Sequence, residues 1–107
     1  MKLGIIIETN DPEKVWNALR FGVTALLKNH ETSIFLLGKG VEIKEINNEK
    51  FDIQNMNNKF LREKGKILAC GTCLKLRGKK TVEICPTSTM ADMVKLVEES
   101  DKIITFG

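Results

Sequence analysis

The sequence predicts an α/β fold, a three-layer α/β/α sandwich around a mainly parallel sheet of about five strands. Three observations carry that reading. The chain opens on a near-continuous Ile-rich run, the pattern of a strand covered on both faces. β-branched runs then alternate with segments of helical periodicity, which implies parallel pairing through right-handed crossovers. Glycine, proline and capping residues punctuate most junctions between the two patterns.

Lys2 to Glu8 is the first predicted strand. Asp11-Pro12-Glu13 starts a helix, with Asp as N-cap, Pro at the first helical position and an acid in the first turn. That helix reaches about Asn29, and Val15, Ala18, Leu19, Gly22, Ala25 and Leu26 form its inner stripe. Phe21 and Val23 lie off the stripe and suggest a second buried face, for instance at a subunit contact. Thr32 to Leu37 is the second strand, closed by Gly38-Lys39-Gly40, a junction where backbone could approach a ligand or a neighbouring strand closely.

Residues 41 to 50 are polar and read as a loop with one turn of helix at most. Ile53, Met56, Phe60 and Leu61 define an amphipathic helix from about Phe51 to Lys64, stopped at Gly65. Lys66 to Cys70 is the third strand, followed by a short basic helix through Arg77 and a stop at Gly78. Thr81 to Cys85 is a fourth β-rich run ended by Pro86. Thr87 or Ser88 is placed as the cap of a last helix whose Met90, Met93, Val94 and Val97 face inward. Lys102 to Phe106 closes the sheet.

At 107 residues the chain suits one domain, 1–107, with its own core. No apolar stretch approaches the roughly 20 residues of a membrane span, and the N-terminus lacks a signal-peptide pattern. Cytoplasm is the expected compartment. The net charge of +3 is mild, Lys and Arg are scattered among acids, and there is no Tyr and one Trp. That pattern is a solvated mixed-charge surface and not the basic, aromatic-interleaved stripe of a nucleic-acid binder.

Chemistry concentrates in Cys70-Gly71-Thr72-Cys73. An apolar strand ends on a cysteine, turns through glycine and enters a helix carrying a second cysteine. Open α/β sheets bind ligands at that carboxyl edge. A helix start favours thiolate over thiol, and Lys75 and Arg77 add positive charge nearby. Cys70 is therefore expected to be ionised and reachable, with the Gly71 and Thr72 N–H groups steadying its charge.

Four readings of the pair remain open on the residues alone. A structural zinc site wants four ligands, and only Cys85 and His30 remain, one of each. Dithiol redox chemistry fits a strand-to-helix C-x-x-C, although the motif falls late in the chain and no cis-proline loop is evident. Persulfide chemistry needs one activated thiolate and no general base. Buried small hydrophobes are the fourth reading, favoured for Cys85; were it to hold for the pair, the chain would be a non-catalytic oligomeric binding module. No cofactor is called for. His30 reads as a solvated helix terminus, Trp16 as packing, and Glu8, Asn10 and Asp11 share the sheet edge of Cys70.

These residues resemble the DsrE/DsrF-like family, the group that includes TusD-type subunits of sulfur relays. The likeness covers the whole length and is most specific where Cys70 precedes a short helix ending Leu76-Arg77-Gly78. It implies a DsrEFH-like fold and a small sulfur-carrier or sulfurtransferase-like protein whose Cys70 carries a persulfide. Cys73 departs from the relay pattern, and Cys-Gly-Thr-Cys brings a resolving thiol or disulfide chemistry. The resemblance also implies a homo-oligomer, as dimer, trimer or hexamer, and protein partners that donate and accept sulfur.

Overall fold

Four of the five strands fall where continuous apolar runs place them. The computed structural model describes residues 1–78 and 87–107. In chain order the elements are β1 (Lys2–Ile7), α1 (Pro12–Leu27), β2 (Glu31–Leu36), a 3-10 segment (Gly38–Glu45), α2 (Ile53–Arg62), β3 (Lys66–Cys70), α3 (Gly71–Leu76), β4 (Thr87–Ser88), α4 (Met90–Glu99) and β5 (Lys102–Phe106). The sheet order is β4-β3-β2-β1-β5, with every pairing parallel. Helices lie on both sides. The central register aligns Ile5 with Ile34 and Ile104, and Ile34 with Ile67. These side chains share one face, because direction alternates along a strand.

That face carries α1 and α2. Asp11 caps α1 by accepting the Lys14 N–H at 3.0 Å, with Pro12 in its first turn, as the sequence predicts. Val15, Ala18, Leu19, Gly22, Val23 and Ala25 are buried on α1, and Ile53, Asn57 and Phe60 on α2. Phe60 is fully enclosed, and Trp16 packs its ring 5.3 Å from that of Phe51, with the Arg20 guanidinium 4.4 Å above the Trp16 ring. Val23 therefore goes into this chain's own core, while Phe21 stays 38% exposed beside the Phe106 ring.

The opposite face departs from expectation in two ways. Thr87 and Ser88 do not cap the last helix. Their backbones pair with Ala69 and Cys70 as β4, so the cap moves to Thr89. Thr89 and Asp92 form a reciprocal capping box: the Asp92 N–H donates to Thr89 Oγ1 at 3.2 Å, and the Thr89 N–H to Asp92 Oδ2 at 2.8 Å. Of the four residues expected inside, Met93 packs against the core together with Leu96, while Met90, Val94 and Val97 are 56, 53 and 45% exposed. The helical turn expected within 41–50 is there as residues 41 to 45, the end of a 3-10 segment that starts earlier, at Gly38. The strand expected at Thr81–Cys85 lies outside the described residues.

Candidate functional site

The carboxyl edge of the sheet gathers the ends of β1, β2 and β3. Gly38 takes φ +54°, a left-handed conformation that suits glycine. Two residues on, a Cβ at Gly40 would overlap the Ile7 carbonyl oxygen, so the 3-10 segment lies directly on the end of β1. The Gly-Lys-Gly signal thus serves approach to neighbouring backbone. It also aims the Gly38 N–H at the Cys73 Sγ, 3.2 Å away.

Cys70 ends β3 and occupies the N-cap position of α3 without making a side-chain capping bond. It is 3% exposed and belongs to the hydrophobic core. The expectation of a reachable Cys70 supported by the Gly71 and Thr72 N–H groups is therefore corrected on both counts. The backbone donor comes from the segment after β2, the neighbouring strand, and it serves the other sulfur. Cys73 lies one turn further along α3 and is partly exposed. Cys70 at the N-cap and Cys73 three residues on share one face of α3, close enough for the Cys70 side chain to act on the Cys73 charge.

Burial pushes the Cys73 thiol above the ordinary cysteine value. The Gly38 N–H opposes that shift, the Cys70 side chain adds to it, and the Arg77 charge acts against it. Thiolate is thus disfavoured at Cys73 by desolvation, while two fixed partners stand ready for its negative charge.

Arg77 does not project a free charge toward partners. Its Nε donates to Glu42 Oε2 at 2.9 Å and its Nη1 to the Cys73 carbonyl at 3.2 Å. Glu42 Oε1 also accepts from Asn10 Nδ2 at 3.3 Å, so one carboxylate ties the end of α3 to the 3-10 segment and to the loop after β1. A pocket of about 220 Å³ opens beside this strap, lined by Asn10, Pro12, Glu42, Glu45, Ile46 and Asn47. Lys75 and Thr72 are exposed, and Gly71 lies half-buried against Thr87 and Ser88 of β4. Cys85 lies outside the described residues. His30 is far from the thiols, with Nδ1 3.0 Å from the Met1 amino nitrogen.

Gly38 and Glu42 were missed by the sequence reading as partners of the pair. Gly-Lys-Gly at the end of β2 was the available signal for the first. The second had none, because Glu42 is 35 residues from Arg77 and meets it only through the β2–β3 pairing.

A parallel α/β/α sheet with two thiols at its carboxyl edge defines a class of small thiol-bearing α/β proteins. Within that class the chain belongs to the DsrE/DsrF-like family, which it matches over residues 1–106. It is 37% identical to the uncharacterized protein MJ0989 of Methanocaldococcus jannaschii, over 99% of this chain and 100% of that protein. With the uncharacterized protein MK0008 of Methanopyrus kandleri it shares 33% identity, over 88% and 83% of the two chains. Among solved structures it superposes on the ychN protein of E. coli with a TM-score of 0.83 at 21% identity, covering 99% of this chain and 100% of that one. A protein of unknown function, MTH1491 of Methanobacterium thermoautotrophicum, gives 0.76 at 14% identity, over 97% of both chains. These two likenesses establish the fold.

Proposed function

We propose that this protein is a cytoplasmic sulfur carrier of the sulfurtransferase-like kind, holding sulfane sulfur as a persulfide on Cys70 with Cys73 as its partner thiol. The observation that carries the reading is the placement of two cysteines on one face of α3 at the sheet's carboxyl edge, one of them backed by a backbone N–H at 3.2 Å. Sulfur transfer between thiols needs a nucleophilic sulfur, a second sulfur in reach and fixed donors for the developing charge. Membership of a family associated with sulfur relays supports the same chemistry. No helix among the described residues is long and apolar enough to cross a membrane. Exposed Phe21, Leu27, Val94 and Val97 support assembly into a homo-oligomer, with sulfur-donor and sulfur-acceptor proteins as transient partners.

A second reading rests on the same placement, a thiol–disulfide redox protein cycling the Cys70–Cys73 pair. Mass spectrometry separates the two. After incubation with a small persulfide donor, the peptide spanning residues 67–75 gains about 32 Da in the carrier. In the redox protein it loses two hydrogens and gains no sulfur. An unmodified peptide overturns both.

A further inference from the structure

If the protein carries sulfur as proposed above, the structure raises a question that the motif alone does not. Cys70 at the strand end is 3% exposed, and it does not line the pocket beside the Glu42 strap. A donor must therefore reach some other atom first. Cys73 is the partly exposed member of the pair. Its Sγ accepts the Gly38 N–H, and its own carbonyl is held by Arg77 at 3.2 Å, which in turn is held by Glu42. We propose that Cys73 is the receiving thiol and Cys70 the storage thiol, so that sulfur arrives on the outer sulfur and is passed inward.

The chemistry balances in two thiol exchanges. In the first, the Cys73 thiolate attacks the outer sulfur of a donor persulfide, R–S–SH. The donor S–S bond breaks, R–S⁻ leaves, and Cys73–S–SH forms. In the second, the Cys70 sulfur attacks the outer sulfur of Cys73–S–SH. That S–S bond breaks, a new one forms on Cys70, and the Cys70 proton passes to the Cys73 sulfur as it leaves. The outer sulfur keeps its oxidation level throughout, so neither step consumes an outside oxidant or reductant.

Physical arguments favour this order over direct loading of Cys70. Attack requires the donor's sulfur to approach along the axis of the bond that breaks, which an enclosed atom in hydrocarbon does not permit for a substituted donor. A persulfide stored out of reach of solvent is sheltered from thiols that would strip it as sulfide. The cost falls on Cys73, whose desolvation leaves little thiolate at neutral pH. Once ionised, though, a thiol of higher pKa is the stronger nucleophile. The Gly38 N–H and Arg77 are the groups that recover part of the thiolate fraction.

The test follows loading by a small-molecule persulfide in three proteins, with fragmentation of the 67–75 peptide to place the added sulfur. Wild type is expected to end with it on Cys70. Cys70→Ala is expected to retain it on Cys73. Cys73→Ala is expected to load Cys70 about tenfold more slowly or worse, and to recover speed when unfolded in urea, where Cys70 is no longer enclosed. Circular dichroism checks that each variant folds, and Cys70→Ser serves if the alanine variant does not. Cys73→Ala loading Cys70 at the wild-type rate overturns the receiving role and leaves the carrier reading standing. Wild type that takes up no sulfur overturns both.

Discussion

The two faces of the sheet are finished to different degrees. Under α1 and α2 the residues Ile5, Ile34, Leu19, Val15 and Phe60 are fully enclosed, and the helices cover the central strands. Across the sheet, α4 has no buried residue at all. Between it and the strands lies an open pocket of about 310 Å³, where Leu68 and Ser33 of the sheet meet Lys95 and Leu96 of the helix. One face is a core throughout; on the other, Phe35 and Ile6 are buried while α4 lies over an open ledge. Folding free energy therefore concentrates on the α1/α2 side, since it scales with apolar area withdrawn from water. The Cys70–Cys73 pair sits at the carboxyl edge, where β3 and the 3-10 segment hold α3 through the Gly38–Cys73 and Arg77–Glu42 bonds.

The sharpest way to break that contrast is to remove one large side chain from each face. The Phe60 ring fills the space left by the missing side chains of Gly22 and Gly65. Phe60→Ala is expected to cost about 3–5 kcal/mol in urea unfolding, the range for deleting an enclosed aromatic ring. Val94→Ala on α4 is expected to change stability by no more than about 0.5 kcal/mol, as for a surface substitution. A Val94→Ala cost above about 1 kcal/mol would mean that this helix is covered in solution. In that event the unfolding midpoint should rise with protein concentration, the signature of a second copy on that face.

The same contrast governs how much could be read from the sequence. β1, β2, β3 and β5 were legible because burial on both sides of a parallel sheet writes continuous apolar runs, and α1 because Asp11-Pro12 announces its start. The orientation of α4 was not. Periodicity says that an apolar stripe is covered, not which stripe and by what. The inner row is Met93, Leu96 and Ser100, the last donating to the Leu96 carbonyl at 2.6 Å and lying over Gly4. Met90, Val94 and Val97 look equally apolar on paper. At the site, the C-x-x-C and its place at the sheet edge were legible, since both are local. Which sulfur is open and which is enclosed was not, because that depends on β4 and on the Gly38 loop. Neither is near the motif in sequence.

The smallest expected effect concerns how α4 is held to its ledge. With no buried residue, the helix relies on its capping box more than α1 relies on Asp11. The Asp92 carboxyl sits below its ordinary value, chiefly because the Thr89 N–H donates to it, with the Thr89 hydroxyl adding to the effect. A carboxylate depressed in the folded state contributes stability that is present above its unfolded pKa, about 3.9, and is lost as pH falls through the lower folded value. Asp92→Asn should therefore lower the melting temperature slightly at neutral pH, and its difference from wild type should shrink as pH falls below about 4. Amide exchange should show the loss first in the opening turn of α4, with α1 unchanged. Equal loosening of α1 would mean that the two faces unfold as one unit, and that the ledge is coupled to the core more tightly than its packing implies.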